Sequence, residues 1–159
     1  MRSSPTGAGT DALRPTVLPR LLRAFRATDY NAAGATARIG RRSAAVDRLL
    51  CALGSRRGAF LTAWNPGARR QPLGCNLRAG LALRGWLRRV AAEPGFGCAP
   101  GWHEAHWLVA ADPRRVAVLG RWFRQVGIVV VQRGQNARLH LLSAAGRGQP
   151  AGSTPSWQP

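Results

Sequence analysis

Apolar positions recur along the chain with two alternating periods. Leu18, Leu21, Leu22 and Phe25 follow helical spacing, and Pro19 suits a first helical turn. Short strands are expected at 27–30 and 36–39, around the turn Asn31-Ala-Ala-Gly34. Ser43 can cap a helix carrying Val46, Leu49, Leu50 and Leu53, and Gly54 ends it. A strand at 58–64 runs into Asn65-Pro66-Gly67-Ala68, which fits a type II turn. A helix over 72–91 places Leu73, Leu77, Leu83, Leu87 and Val90 on one broad face, weakened by Gly80 and Gly85 and broken by Pro94-Gly95. Strands at 96–99 and 105–111 flank a Pro-Gly turn. Asp112-Pro113 starts a helix with the stripe Val116, Leu119, Gly120 and Phe123. Two strands, 128–132 and 137–142, surround the hairpin signal Arg133-Gly134-Gln135-Asn136.

From 58 to 132 this order is strand, helix, strand, strand, helix, strand. It predicts an α+β fold: a single, mostly antiparallel sheet with a ferredoxin-like βαββαβ core and helices mainly on one face. An N-terminal helix, hairpin and helix extend it, and one more strand follows at the C-terminal end. Residues 1–12 and 146–159 are low in apolar content and read as disordered tails around one domain, 13–145, with Trp157 an unstructured outlier.

The 159 residues carry a formal charge of +18, and every basic residue is Arg. Such a charge attracts nucleic acid, phosphorylated ligands or other anionic partners. Arg codons are GC-rich and Lys codons AT-rich, so coding bias is a second source of the same charge. The five Arg doublets are scattered. Arg56-Arg57 and Arg69-Arg70 flank one strand and stand roughly 20 Å apart, so a basic groove would run along the sheet. Cys51, Cys75 and Cys98 are widely spaced and odd in number, against both a disulfide framework and zinc, and Cys51 reads as buried. No run approaches the roughly 18 apolar residues of a membrane span. A cytoplasmic chain without cofactor or membrane contact is the expectation, its oligomeric state open.

Few motifs carry chemistry. There is no Walker loop, HExxH, GxSxG or RNP1 box. His103 and His106 fall on opposite sides of a strand, which argues against a shared metal, whereas Glu104 and His106 share one side as an acid and an imidazole or as a salt-bridged pair. Asn65 at the strand end offers an amide to a ligand, with Arg69 or Arg70 as an anion clamp. Arg84 falls inside the apolar arc of its helix, and Gln125 at the end of the last helix lines a pocket or faces solvent.

The stretches FLTAWNPGARRQPLGCN, GWHEAHWLVAAD and LGRWFRQVGIVVV, with RIGRRSAAVDRLL before them, resemble an uncharacterised bacterial family of unknown function, DUF3293, over roughly residues 20–142. The shared pattern is a Thr-Ala-x-Asn-Pro strand end, an Asn on the next helix, a Trp-x-Glu segment and a Gln closing the last helix. Here these are Thr62, Ala63, Asn65, Pro66, Asn76, Trp102, Glu104 and Gln125. The chain departs from the pattern at Ala68, Cys75 and His106, where Ser, Glu and Ser are expected. The resemblance implies one compact domain with Asn65, Glu104 and Gln125 at related sites, and implies no reaction.

The leading expectation is a non-catalytic binding protein for nucleic acid or a phosphorylated ligand. A small-molecule site or enzyme around Asn65, Asn76, Glu104 and Gln125 is the alternative, and a protein-interaction factor a third.

Overall fold

The computed structural model describes residues 17–142; the expectations about both tails fall outside them. Among the described residues the fold is α+β, with one antiparallel sheet and four α-helices. In chain order the elements are α1 (Val17–Ala27), β1 (Asp29–Ala32), β2 (Ala35–Ala37), α2 (Ala44–Ala52), β3 (Arg57–Leu61), α3 (Leu73–Trp86), β4 (Ala92–Ala99), β5 (Trp102–Val109), α4 (Pro113–Trp122), β6 (Gly127–Gln132) and β7 (Arg138–Leu141). The seven strands lie in the order β2-β1-β4-β5-β3-β6-β7, and every pairing between them is antiparallel. The sheet curls until its two edges meet. Ile39, just past β2, bridges Ala137, just before β7, and the Gly40 N–H donates to the Ala137 carbonyl at 2.8 Å.

Helices cover both faces, not mainly one. Four consecutive β3 residues, Gly58 to Leu61, are buried, so β3 has no solvent side. Phe60 joins Tyr30, Leu108 and Val129 in a core completed by Val46 and Leu50 of α2 and by Phe25 of α1. Ala59 and Leu61 join Val109 and Ile128 in a second core under Leu83 of α3 and Val116 and Leu119 of α4. Leu50 and Leu83 are 0% and 1% exposed. Each such leucine contributes about 1.5–3 kcal/mol, so both helical layers matter to stability.

The helix starts follow local chemistry. The Ser43 hydroxyl accepts from the Val46 N–H at 3.3 Å. Asp112 accepts from the Arg114 N–H at 2.9 Å, with Pro113 in the first turn. Elsewhere tertiary context prevails. Pro94 does not break the chain but lies within β4. The Ala110 N–H donates to the Ala91 carbonyl, so by alternation Pro94 falls at a non-bonded pair with Trp107. Its ring nitrogen faces the side where β1, which reaches only to Gly95, has already ended.

The broad apolar face expected for α3 splits in two. Leu83, and Leu87 just beyond the helix, are buried, but Leu73 and Leu77 are exposed, and Arg84 lies on that outer side. Gly80 seats the Trp64 indole: a Cβ there would stand 3.2 Å from the Trp64 Nε1. Cys51 is exposed rather than buried, because it follows Leu50 by one residue and so turns away from the face that Leu50 buries.

Candidate functional site

Beyond β3 the backbone makes an unusual turn. Asn65 is left-handed at φ 49°, ψ 56°, Gly67 takes φ 65°, ψ 24°, and Ala68 follows at φ 58°. This differs from the type II turn expected over 65–68: the Arg69 N–H donates to the Pro66 carbonyl at 3.3 Å, so the turn closes one residue later, with both central residues, Gly67 and Ala68, left-handed. Asn tolerates this region better than most side-chain-bearing residues. The turn is strapped to the end of α4 by the Gly67 N–H, which donates to the Arg124 carbonyl at 2.8 Å. The same junction brings Gln125 to Trp64, whose carbonyl accepts from the Gln125 Nε2 at 2.9 Å.

Asn65 is the hub of a polar network. Its Oδ1 accepts from the Gln71 N–H at 2.9 Å and from the Asn76 Nδ2 at 3.0 Å. Its N–H donates to the Asn76 Oδ1 at 2.9 Å. Its Nδ2 donates to the Glu104 Oε1 at 3.1 Å. Thr62 supports the strand end, donating to the Ala105 carbonyl at 2.7 Å and accepting from the Trp64 N–H at 2.9 Å.

A cleft of about 590 Å³ opens over this network on the α1 side of the sheet. Two-residue alternation accounts for most of the sheet lining: Phe60 and Thr62 from β3 and its end, Trp102, Glu104 and His106 from β5, Gly127 and Val129 from β6, with Leu61 and Val126 also reaching the space. Tyr30, Leu21 and Phe25 close one wall, and Arg70 and Gln125 also line the space. His103 faces the other way, its ring centroid 5.1 Å from that of Phe96. No cluster of three or more metal-binding side chains occurs among the described residues.

Burial governs the two titrating groups on the floor. Glu104 is 8% exposed, and burial pushes its carboxyl up to about 7, against the Asn65 hydrogen bond. Its Oε2 has no protein partner among the described residues. His106 is 6% exposed, and burial pushes its imidazole down to about 4, against the bond to the Asn31 carbonyl. That carbonyl lies 2.9 Å from the His106 Nε2 and can only accept, so Nε2 carries the proton and Nδ1 presents a lone pair. The ring stacks on Tyr30 at 6.0 Å and meets the edge of Phe60 at 5.0 Å. A carboxyl that exchanges its proton near neutral pH thus lies two residues from a neutral imidazole.

Opposite pH effects follow. Glu104 has a folded pKa above its ordinary 4.5, so its stabilising share is complete below that value and lost as pH rises toward about 7. His106 has a folded pKa below its ordinary 6.5, so its share is complete above that value and lost as pH falls toward about 4. Between these ordinary values the two slopes oppose, each at most about 1.4 kcal/mol per pH unit. Glu104→Gln removes the falling slope. Urea denaturation across this window is expected to show the variant gaining stability relative to the native chain as pH rises. Parallel curves would refute the assignment.

The structure joins Asn65, Asn76 and Glu104 directly and brings Gln125 and Arg70 to the same cleft. Arg69 is exposed and outside the lining, and Asn76 stands behind Asn65. Tyr30, Gln71 and the Asn31 carbonyl went unforeseen in the sequence. Two of these act through main-chain atoms, which no residue type signals. Tyr30 arrives because β1 pairs with β4, a long-range pairing.

Among the described residues no helix is long and apolar enough to cross a membrane. No curated protein and no solved structure matches the chain. The segment holding the Asn65 turn, Asn76, Glu104 and Gln125 does have a counterpart: residues 61–128 match the family described as Protein of unknown function (DUF3293), and the chain resembles that family.

Proposed function

We propose that this chain is a small-molecule-binding domain whose site is the cleft above Glu104. One observation carries the reading: Glu104 lies 8% exposed on the cleft floor, with one carboxylate oxygen held by Asn65 and the other without a protein partner among the described residues. A buried polar atom left open toward a cleft is costly unless something binds it. The volume, about 590 Å³, lies in the range of small-molecule sites. A long polyanion would ride on the surface, away from these buried groups. We also read β3 to β6 with α3 and α4 as a ferredoxin-like core; the neighbour order β4-β5-β3-β6 supports it.

A fragment library screened against the ¹⁵N-labelled full chain by NMR tests the site. Binding fragments are expected to shift the amides of Thr62, Asn65, Glu104, His106 and Gln125 together, and Glu104→Gln, checked for folding by its melting temperature, is expected to abolish those shifts. Fragments that perturb only the arginine-bearing surface would overturn the reading.

A further inference from the structure

We infer that the cleft takes a nucleotide, with the nucleobase over Glu104 and His106 and the phosphate on Arg70. The inference rests on the small-molecule reading above and names its ligand class. Three acceptors on the cleft lining lack protein partners among the described residues. They are the Glu104 Oε2, the His106 Nδ1 and the Gln125 Oε1, the last because the Gln125 Nε2 already donates to the Trp64 and Phe123 carbonyls at 2.9 and 3.3 Å. Three acceptors call for a ligand edge rich in N–H donors. An aliphatic ligand would leave all three dry and unpaired. An ammonium ligand would satisfy them, but the chain carries a formal charge of +18 and Arg70 lines the same space, so a cation is repelled.

A neutral, flat N–H heterocycle meets both conditions. The ring of Trp102, 37% exposed, also lines the cleft and supplies apolar surface for one of the heterocycle's faces. Arg70 has no ion-pair partner among the described residues and suits an anionic group attached to that heterocycle. Every nucleobase carries at least one N–H donor on its pairing edge, and a 5′-phosphate supplies the anion. A carboxyl whose protonation changes near neutral pH can accept from a ring N–H or donate to a ring nitrogen.

Isothermal titration of the full chain near physiological salt tests this. The probes are the four common ribonucleoside 5′-monophosphates, their nucleosides, inorganic phosphate and a 5′-phosphorylated RNA hexamer. At least one monophosphate is expected to bind about tenfold more tightly than its nucleoside and than phosphate. Arg70→Ala is expected to erase that advantage and leave nucleoside binding unchanged. Glu104→Gln is expected to weaken nucleotide and nucleoside alike by about tenfold. Competition between the hexamer and the monophosphate would identify a strand end as the source of the same chemistry; a hexamer that does not compete would identify the free nucleotide. Four monophosphates that bind no better than phosphate, or an Arg70→Ala variant with unchanged monophosphate affinity, would overturn the inference. In either case, NMR shifts by other fragments at Glu104 would leave the small-molecule reading standing.

Discussion

Asn65→Ala is expected to lower stability by about 4 kcal/mol, the sum of the low-end losses below, because the bonds concerned are only part-buried. Alanine at φ 49° pays a left-handed penalty of about 1–2 kcal/mol that Asn partly avoids. The Gln71 N–H loses its acceptor, and the buried Asn76 Nδ2 keeps only a 3.4 Å bond to the Gln71 carbonyl, while the Asn76 Oδ1 still accepts from the backbone N–H of residue 65. Glu104 loses the one donor that its carboxylate has among the described residues. Each buried group left unpaired costs about 1–3 kcal/mol. Two companions separate the causes. Asn65→Gly removes the side chain but not the left-handed freedom, and is expected to recover roughly the backbone share of about 1 kcal/mol. Asn65→Asp keeps both acceptor bonds but sets a second carboxylate beside Glu104, so its deficit is expected to grow as pH rises. Urea denaturation of the three variants measures these differences. A loss below about 1 kcal/mol for Asn65→Ala would remove Asn65 from its place as hub.

Gly95→Ala is expected to cost about 3 kcal/mol, at the upper end of overpacking effects. A Cβ at this position would collide with the Asn31 carbonyl oxygen, and it would stand 2.8 Å from the Asn31 carbonyl carbon and 3.0 Å from the Ala32 Cα. All three are backbone atoms, so no rotamer relieves the contact, and β1 must move off β4. The same Asn31 carbonyl holds the His106 ring, so the imidazole signals are expected to shift with the lost stability. Gly85→Ala serves as a contrast. A Cβ there meets nothing within 4 Å, and its helical site is expected to gain about 0.5–1 kcal/mol. Thermal denaturation with NMR of His106 measures both variants; Gly95→Ala at native stability would mean that β1 and β4 are not held this close.

Elements with strong local signals were legible in order. Ser43, Asp112 and Pro113 announce their helices, and Asn65 with Pro66 and Gly67 announces a turn, because caps and left-handed positions are decided within a few residues. The pairing of Glu104 with His106 on one face was legible too, since strand alternation is local.

Other features depended on residues far away. Pro94 lies in a strand because β1 stops short of it. Half of the expected apolar face of α3 stays exposed, because a helix against a sheet buries only the arc that the sheet can reach. Covering both faces of β3 required α2 to come from one side and α4 from the other, as its run of buried residues hinted without saying with what. By itself the sequence determined the succession of elements, the turn at Asn65 and the shared face of Glu104 and His106. The tertiary structure decided how these residues connect: Asn65 between Asn76 and Glu104, with Gln125 and Arg70 on the same cleft as Glu104, because strand order and the fold of the Asn65 turn, not residue types, set those distances.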